Sequence, residues 1–596
     1  MTRPRAIILL VGLAVVAVPS VSPNNFWVFF VAGIGISLIL VASLNLAMGF
    51  TGLVSMAHTG LFAVGAYVSG LLMVKAGWPF WFSAPAAVVG AAAIGALMSL
   101  AALRAAHLYF AMITLSFNLI LLEIAIEADF ITGGYVGVLG VGRPSLLGLR
   151  FGLGEYFYLI WIVVGLSLVF VRNVVQSSFG RAFIALRDSE DAAAALGIPP
   201  FRTKLLSFTL SAALAGLAGA LFASLNGFVN PALAGLESSL NLFIAMLLGG
   251  VGTLAGPLLG MFALTVVQQA IAPIALYQAL IFGAILLLSM VLTPTGLVGT
   301  WEGTRWGRRK VGGPPPAARE GSARIRDLLD VRPTNGNGAD VSALEVRGLR
   351  KSFGGIRALN GVDLDVRAGT IHGLVGPNGS GKTTLVNVVA GYYARDDGEV
   401  RFFGRPWRGQ RPHQVARAGL IRIFQAAHLF GQTTVLENML VGLHLATRVA
   451  LPAAVLRLPT FGREERDLRR IATDFLGAVG LADLADRQAS SLSQGQQRLL
   501  EVSRALAARP RLLILDEPAT GLTAEELERL ARLVREVRAS GVTVLLIEHN
   551  MSFVMGICDW VTVLDGGERI AHGPPSDVQH DARVIEAYLG TSRVAS

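Results

Sequence analysis

The chain has 596 residues, of which 53% are hydrophobic and only 15% are charged, and its formal net charge is +10. Soluble domains carry about 25% charged residues, so the composition excludes a wholly soluble protein and places much of the chain in a lipid bilayer. Basic cytoplasmic loops and a phosphate-binding domain at an anionic membrane surface account for the positive charge, and no nucleic-acid partner is expected. The single cysteine, Cys558, excludes an intrachain disulfide framework and metal sites built from several thiolates.

Apolar segments dominate the first 300 residues. Because a helix needs about 20 apolar residues to cross a bilayer, the sequence predicts ten spans. Arg3 and Arg5 place the N-terminus in the cytoplasm, and ten spans return the C-terminus to the same side. A cleaved signal peptide is the alternative for the first segment, but the further spans favour its retention. The ten predicted spans lie near 6–21, 26–50, 55–76, 80–103, 109–128, 156–175, 204–228, 239–250, 254–274 and 277–299.

Two groups of residues inside these spans bear on helix packing and on a candidate substrate path. Glycines at helical spacing predict close helix packing, because packing replaces the hydrophobic drive in lipid. Polar groups within spans are often functional, so Asn45, His58 and Glu123 are candidates for a substrate path. Structural hydrogen bonds, or a side chain that reaches the membrane interface, explain each of the three equally well. The glycines are Gly216, Gly219, Gly252, Gly256 and Gly260.

Composition changes sharply after residue 300. The stretch 301–343 contains Pro314–Pro316, a run of alternating Asn and Gly, and a basic cluster at 305–310. Such a stretch cannot bury a core and predicts a flexible basic linker. The sequence therefore predicts a transmembrane domain at 1–300, the linker at 301–343 and a soluble domain at 344–596.

A strand, a glycine loop and a helix follow one another in the soluble half. The apolar run Ile371–Val375 precedes Gly-Pro-Asn-Gly-Ser-Gly-Lys-Thr at 376–383, and a helical run, Thr384–Ala390, follows. In this context backbone N–H groups surround phosphate oxygens, the lysine reaches the β and γ phosphates, and the threonine binds Mg²⁺. A simple glycine-rich turn is the alternative. The predicted ATP site comprises Gly376, Asn378, Gly379, Ser380, Gly381, Lys382, Thr383 and Thr384.

A second apolar strand run, Leu512–Leu515, ends in Asp516-Glu517-Pro518. An apolar strand that delivers an acid is a Walker B arrangement. Asp516 is predicted to hold Mg²⁺, directly or through water. Glu517 is predicted to polarise the attacking water as general base. A nucleotide site joined to a membrane bundle predicts transport driven by ATP.

The segment between these two motifs reads Leu-Ser-Gln-Gly-Gln-Gln at 492–497. With the flanking motifs, it resembles the signature of the ATP-binding-cassette family, Leu-Ser-Gly-Gly-Gln, with Gln494 at the third place. The resemblance implies an α/β P-loop ATP-binding-cassette domain with a helical subdomain, following a polytopic α-helical membrane domain of about ten spans. It also implies that Ser493, Gly495 and Gln496 contact the ATP held by a partner subunit, and a serine at a helix start is a suitable anion ligand.

Other positions match the same family. Gln425 resembles the glutamine that senses Mg²⁺ and relays to the membrane domain. His549 resembles the switch histidine near the γ-phosphate, an ordinary surface histidine being the alternative. Phe353 would stack on adenine, unless it is a core phenylalanine. Thr523 stands where the family usually has an aspartate, so communication between subunits there is expected to differ.

Both halves resemble one branch of the family, the branched-chain amino-acid (Liv-type) importers. The resemblance covers 344–591 for the longer ATPase and roughly 30–299 for the permease. It implies a fusion protein of the bacterial inner membrane, with a cytoplasmic ATPase domain. The implied partners are a periplasmic solute-binding protein and a second permease with a second ATP-binding subunit, or a second copy of this chain. Matching motifs include Leu44–Gly49, Ile131–Gly134, Phe179–Arg181, Thr434–Asn438 and Val584–Gly590.

The cytoplasmic loop 176–203 has the pattern of a short amphipathic helix capped by glycine. In importers such a helix seats in a groove of the ATPase and transmits its closure. An ordinary solvated loop is the alternative. The residues predicted to carry the coupling are Arg181, Asp191, Ala193, Ala194 and Gly197.

Substrate identity is less determined than the transport class. Branched-chain or related amino acids follow from the resemblance, but Asn118-Leu119 and Tyr135-Val136 depart from the permease pattern. Urea, short amides or carboxylates are therefore alternative substrates. An exporter is disfavoured by the short loops, and a non-transporting regulatory ATPase by the number of spans.

Overall fold

The computed structural model describes residues 15–271, 325–329 and 341–589, apart from 23, 104–106, 147 and 426–427, together with isolated residues between 280 and 298. The chain divides into two compact units. The helical unit comprises Met1–Arg187 and Phe201–Lys310, and the α/β unit comprises Asp188–Pro200 and Val311–Ser596. The short segment Asp188–Pro200 therefore packs with the α/β unit, although its neighbours in sequence belong to the helical unit.

The helical unit consists mainly of helices and has four short strands. Three of these strands lie in the connection between the helices Asp129–Thr132 and Leu153–Val175. The first helix continues into one turn of π-helix, Asn45–Phe50. The helices are α1 Asn25–Leu44, α2 His58–Val74, α3 Phe80–Ala102, α4 His107–Glu127, α5 Asp129–Thr132, α6 Leu153–Val175 and α7 Ser178–Asp188, then, after α8, α9 Pro200–Asn226, α10 Leu236–Gly249 and α11 Gly256–Ile271. The strands are β1 Val138–Leu139, β2 Ser145–Leu146, β3 Leu149–Arg150 and β4 Phe228–Val229.

Five described helices are long and apolar enough to span a bilayer, at Asn25–Phe50, Phe80–Ala102, Tyr109–Glu127, Leu153–Val175 and Pro200–Asn226. Each coincides with a predicted span. Three other predicted spans correspond to the shorter apolar helices α2, α10 and α11. The predicted span near 6–21 is described only from residue 15 onwards, where it is helical, and the one near 277–299 only at isolated positions. The arginines at 3, 5 and 104 and most of the linker lie outside the described residues. The described part of the chain thus confirms several membrane helices rather than the full count of ten.

Close helix contacts occur at the predicted glycines. A Cβ atom on Gly65 of α2 would collide with the backbone of Gly216 in α9, and one on Gly219 would collide with the carbonyl of Phe62. A Cβ atom on Gly260 would similarly meet the backbone of α10. The backbones approach this closely because these positions lack side chains, which is how helices gain packing contacts in lipid.

We expect Gly65→Ala to destabilise the helical unit by about 1–3 kcal/mol, the usual cost of overpacking. The added methyl group can be accommodated only if α2 and α9 separate, because the obstructing atoms are backbone. The measurement is the thermal unfolding midpoint of the detergent-purified chain. Gly33→Ala is the matched control, because a Cβ atom at Gly33 of α1 has no atom within 4 Å. Equal midpoints for the two variants would contradict the prediction.

The α/β unit contains two sheets and the remaining helices. Its strands are β5 Ser342–Phe353, β6 Ile356–Arg367, β7 Ile371–Val375, β8 Asp397–Phe402, β9 Arg405–Pro406, β10 Leu420–Ile423, β11 Leu512–Asp516, β12 Thr543–Ile547, β13 Trp560–Asp565 and β14 Glu568–Gly573. Its helices are α8 Glu190–Ala195, α12 Ile325–Leu329, α13 Lys382–Val389, α14 Pro412–Arg417, α15 Val435–Gly442, α16 Leu451–Val455, α17 Pro459–Ala478, α18 Gln494–Ala507, α19 Ala524–Ala539, α20 Met551–Ile557, α21 Pro575–Gln579 and α22 Ala582–Leu589.

The larger sheet positions the nucleotide site. Its strand order is β10-β11-β12-β7-β13-β14, and all pairs are parallel except β13 with β14. Every residue of β7, β11 and β12 is buried, as expected for central parallel strands covered on both faces. The carboxyl ends of these three strands lie side by side, so the residues that follow them meet at one edge. The smaller sheet is antiparallel, in the order β6-β5-β8-β9.

Part of the predicted linker is ordered. Helix α12 packs against α17 and α19, and its Ile325 and Leu329 are each 1% exposed. These five residues form a helix inside the stretch 301–343, which the sequence predicts to be flexible.

Candidate nucleotide site

The glycine loop joins β7 to α13, as the sequence predicts. Gly376 has a φ of +151°, and a Cβ atom there would collide with the carbonyl of Leu564. Gly381, with a φ of +99°, immediately precedes α13. Asn378, Gly379 and Thr383 are exposed, Thr384 is half-buried, and Ser380 and Lys382 are buried. The loop therefore presents backbone and hydroxyl groups at a helix N-terminus, which is a suitable phosphate site.

The Lys382 ammonium group folds back over this loop. Its Nζ donates to the carbonyl oxygens of Gly376 at 2.8 Å and Pro377 at 2.9 Å, and lies 3.3 Å from Ser380 Oγ. Burial lowers the pKa of Lys382, whereas the Glu517 and Asp516 carboxylates act in the opposite direction. These carbonyl contacts keep a buried cation within the loop, where it is available to phosphate oxygens.

The Walker B acids occupy two different environments. Asp516 ends the buried strand β11, and its carboxylate accepts from the Arg422 guanidinium at 2.8 Å. Glu517 follows with a φ of +46°, and its N–H donates to Ile547 O of the neighbouring strand β12 at 2.8 Å. This left-handed backbone is sparsely populated by residues other than glycine, and it turns the Glu517 side chain away from the strand direction.

Three predicted residues meet at the Glu517 carboxylate. Gln425 Nε2 donates to Glu517 Oε2 at 2.5 Å, and His549 Nδ1 lies 3.8 Å from the same oxygen. The His549 side chain is 62% exposed, which leaves its ring accessible to a ligand. The structure thus brings together Gln425, Glu517 and His549, although each follows a different strand.

The predicted signature begins a helix. Ser493 caps α18, and its Oγ accepts from Gln496 N–H at 3.3 Å, while Gln496 Oε1 accepts from Ser493 N–H at 3.1 Å. This capping box satisfies two backbone N–H groups at the helix start, where Ser493 and Gln494 are exposed, and the helix N-terminus adds a partial positive charge.

The two departures from the family pattern lie close to each other. The Gln494 amide donates to Thr520 O at 3.4 Å, within the loop that precedes α19. Thr523 caps α19 in a capping box with Glu526, which also packs against Gly495. Hydrogen bonds from the Thr523 backbone lower the pKa of Glu526. Signature and loop are therefore joined within one chain by polar contacts.

Phe353 lies at the surface, where a base could stack. Its ring is 44% exposed, its centroid lies 5.2 Å from that of Tyr393 in an edge arrangement, and Lys351 Nζ lies 5.3 Å from the Phe353 centroid. The structure therefore excludes the alternative in which Phe353 belongs to the core.

The predicted coupling residues fall in both units. Ser189 caps α8 by accepting from Ala192 N–H at 3.2 Å, and Gly197 ends the segment with a φ of +88°. Ala193 and Ala194 are buried within the α/β unit, while the exposed Asp191 accepts through its backbone carbonyl from the Tyr392 hydroxyl at 3.0 Å. Arg181 is a buried residue of α7, in the helical unit.

Two of the three candidate substrate-path residues, Asn45 and His58, make hydrogen bonds within the helical unit. Asn45 Nδ2 donates to Thr253 O at 2.8 Å, and Asn45 Oδ1 accepts from Gly252 N–H at 3.1 Å. The His58 ring lies between two serine hydroxyls, at 3.1 Å and 3.2 Å, and is fully buried. These contacts favour the structural alternative for Asn45 and His58. Glu123 is exposed on α4.

Sequence reasoning missed two residues that contact the site. Arg422, which pairs with Asp516, was visible as a charged residue inside the apolar run Leu420–Ile423. Glu548 is fully buried, burial raises its pKa, and its carboxylate accepts from Ala519 N–H at 2.7 Å. Glu548 thereby connects the segment before His549 to the loop after Glu517.

A phosphate loop, a Walker B strand and a signature helix in one α/β unit, on a chain that also carries apolar membrane helices, define an ATP-binding-cassette transporter. The chain belongs to the branched-chain amino-acid branch of this family. Residues 27–292 match the family of the permease component of the branched-chain amino acid transport system. Residues 359–520 match the ABC transporter family, and residues 568–593 match the branched-chain amino acid ATP-binding cassette transporter family.

Two relatives, BraF and LivG, agree with this placement. The chain is 42% identical over 248 residues to the high-affinity branched-chain amino acid transport ATP-binding protein BraF of Pseudomonas aeruginosa, covering 41% of this chain and 97% of that protein. It is 40% identical over 248 residues to LivG of Escherichia coli K12, with coverages of 41% and 97%. A solved nucleotide-free ATP-binding cassette from an ABC transporter is 33% identical and covers 42% of this chain and 99% of its own, with a TM-score of 0.37.

Proposed function

We propose that this chain supplies both permease and ATPase to a binding-protein-dependent importer of branched-chain or related amino acids in the bacterial inner membrane. The main support is that two separate stretches, 27–292 and 568–593, match models of the same transport system. On this proposal the α/β unit lies in the cytoplasm and the membrane domain, 1–300, has ten spans. The ATPase domain is 344–596, with α15–α18 as its helical subdomain.

The nucleotide residues have separate roles in the proposal. The glycine loop and Lys382 bind the phosphates, while Glu517 polarises the attacking water and is oriented by Gln425 and His549. Magnesium would be held by Thr383, Gln425 and Asp516, whose oxygen atoms are the ligand type it prefers. When bound, it supplies charge neutralisation on the phosphate oxygens.

A second ATPase follows from this assignment. The chain carries one phosphate loop and one signature, and each composite site needs the phosphate loop of one subunit with Ser493, Gly495 and Gln496 of the other. The second subunit is a distinct permease and ATPase pair or a second copy of this chain. Closure of the two ATPases and reopening after hydrolysis would bias the bundle between two states, which gives alternating access.

The exposed face of α4 supports a second permease in the membrane. This span is the least buried of the five, with 22% of an 18-residue stretch buried, and its exposed residues include Met112 at 59% and Ile120 at 51%. The carboxylates of Glu123 and Glu127 lie on the same exposed side. Because carboxylates in lipid are costly, we infer that this face meets the second permease across a hydrated path, with Glu123 available to the ammonium group of an amino acid.

The test is transport by the complex reconstituted in proteoliposomes with its solute-binding protein. We expect ATP-dependent uptake of radiolabelled leucine, isoleucine or valine, and ATPase stimulation by the loaded binding protein. Urea, acetamide and short carboxylates form the comparison panel. Uptake confined to that panel would replace the amino-acid assignment, and outward movement of solute would refute import.

A further inference from the structure

An arginine lies in the middle of the buried strand β10. Arg422 is 6% exposed, and all four residues of the strand are buried. A charge in such a position is costly unless it is paired and hydrogen-bonded, so its contacts identify what it stabilises.

The guanidinium group joins two parts of the nucleotide site. Nη2 donates to Asp516 Oδ2 at 2.8 Å, and Nη1 donates to Asn387 Oδ1 at 2.5 Å. Asp516 is the acid assigned to magnesium, and Asn387 belongs to α13, the helix that follows the glycine loop. Arg422 therefore fixes the orientation of the Asp516 carboxylate relative to that helix, as hydrogen-bond partners of metal ligands do.

Two aromatic rings beside Arg422 connect it to the segment Asp188–Pro200, which we call the coupling segment. The guanidinium carbon lies 4.7 Å from the Phe424 centroid and 5.7 Å from the Tyr392 centroid. The Tyr392 hydroxyl donates to Asp191 O at 3.0 Å, and Tyr392 N–H donates to Asn387 O at 2.8 Å. Burial, and then the charge of Asp191, raise the pKa of Tyr392, so its hydroxyl stays a neutral donor.

Arg422 and Phe424 also line one small cavity with the coupling segment. The segment contributes Ala192 and Leu196 to its lining, and α18 contributes Glu501, Arg504 and Ala505. A shift of the coupling segment would move Tyr392 or break its hydrogen bond to Asp191. Tyr392 in turn contacts Arg422 through its ring and Asn387 through its N–H group.

We propose that Arg422 is a positioning residue that links the seat of the coupling segment, through Tyr392, to the magnesium-binding Asp516. The inference rests on the proposed function for the roles of the segment and of Asp516. The proposed contacts connect the coupling segment to Asp516 without using Gln425. Because coupling between two sites is reciprocal, the state of Asp516 also influences how firmly the segment is seated.

The test compares Arg422→Gln and Tyr392→Phe in the complete transporter in proteoliposomes. Arg422→Gln is expected to raise the Mg²⁺ concentration for half-maximal ATPase about 10–100-fold, the usual effect of losing a partner of a metal ligand. Magnesium-dependent binding of a fluorescent ATP analogue should weaken in parallel, while binding of the magnesium-free analogue stays unchanged. An unaltered Mg²⁺ requirement would refute the link to Asp516.

Tyr392→Phe removes only the hydroxyl and keeps the ring beside Arg422. Its unstimulated ATPase and Mg²⁺ requirement are expected within twofold of wild type, while stimulation by loaded binding protein falls at least fivefold. Tyr393→Phe, the same change at the adjacent exposed tyrosine, is the control. Full stimulation of Tyr392→Phe would overturn the relay. A wild-type complex without any stimulation would instead refute the proposed import, and the Mg²⁺ titration of Arg422→Gln would still decide the link to Asp516.

Discussion

Glu517→Gln is expected to abolish ATP turnover while leaving ATP binding intact. A positioned general base contributes about 10²–10⁴-fold to a rate, and glutamine cannot accept the proton of the attacking water. The phosphate contacts come from other residues, the glycine loop and Lys382, so affinity for the nucleotide should persist. The amide is nearly isosteric with the carboxylate and can still pair with Gln425, whose Nε2 now donates to Glu517 Oε2 at 2.5 Å.

Phosphate release and binding of a fluorescent ATP analogue, both measured on the reconstituted complex, check this prediction. Glu525→Gln is the matched control, because Glu525 undergoes the same change at an exposed position, where it pairs with Arg529 at 2.6 Å. The control should retain hydrolysis within twofold, since exposed ion pairs contribute little. Near-normal hydrolysis by Glu517→Gln would show that Glu517 is not the general base, and His549 would become the next candidate.

The nucleotide site was predictable because its parts are local in sequence. The glycine loop follows its strand directly, the Walker B acids end another strand, and Ser493 begins its helix, so each motif carries its own structural context. Parallel strands then place the glycine loop and the Walker B acids at one edge of the sheet without further information. Phe353 and Gln425 were assigned through the family resemblance; the structure places Phe353 beside Tyr393 and Gln425 beside Glu517, and their roles toward adenine and magnesium stay predictions.

The contacts of the proposed relay were not predictable because they are long-range. Arg422 and Asp516 are 94 residues apart, and Tyr392 and Asp191 are 201 residues apart. Nothing local distinguishes Tyr392 from Tyr393 next to it, and only the fold decides which hydroxyl reaches the segment. The polar residues of the membrane helices show the same limit: Asn45 looks like a path residue until Thr253 and Gly252 are seen as its partners.

Ala193→Phe is expected to uncouple transport from ATP hydrolysis. Ala193 has no exposed surface, and its helix α8 is held by the Ser189 cap at one end and by Gly197 at the other. A phenyl ring cannot be accommodated there without displacing the segment, and overpacking of this kind costs about 1–3 kcal/mol. Since 1.4 kcal/mol corresponds to about a tenfold change in an equilibrium, we expect transport to fall by about 5–100-fold. Basal hydrolysis should stay within about threefold, because the phosphate loop and the Walker B strand are separate elements of the chain.

Asp191→Phe adds the same ring to the same helix at an exposed position, and it leaves intact the backbone carbonyl that accepts from Tyr392. If burial of the segment carries the coupling, Asp191→Phe transports normally while Ala193→Phe hydrolyses ATP without net uptake. The measurement is the ratio of amino acid taken up to phosphate released by each variant in proteoliposomes. Full uptake by Ala193→Phe would show that the segment tolerates displacement. Other residues would then have to couple transport to ATP hydrolysis. Because Asp191 is itself a predicted coupling residue, equal loss of uptake in both variants would instead indicate that any ring on α8, or the loss of the Asp191 carboxylate, disturbs the coupling.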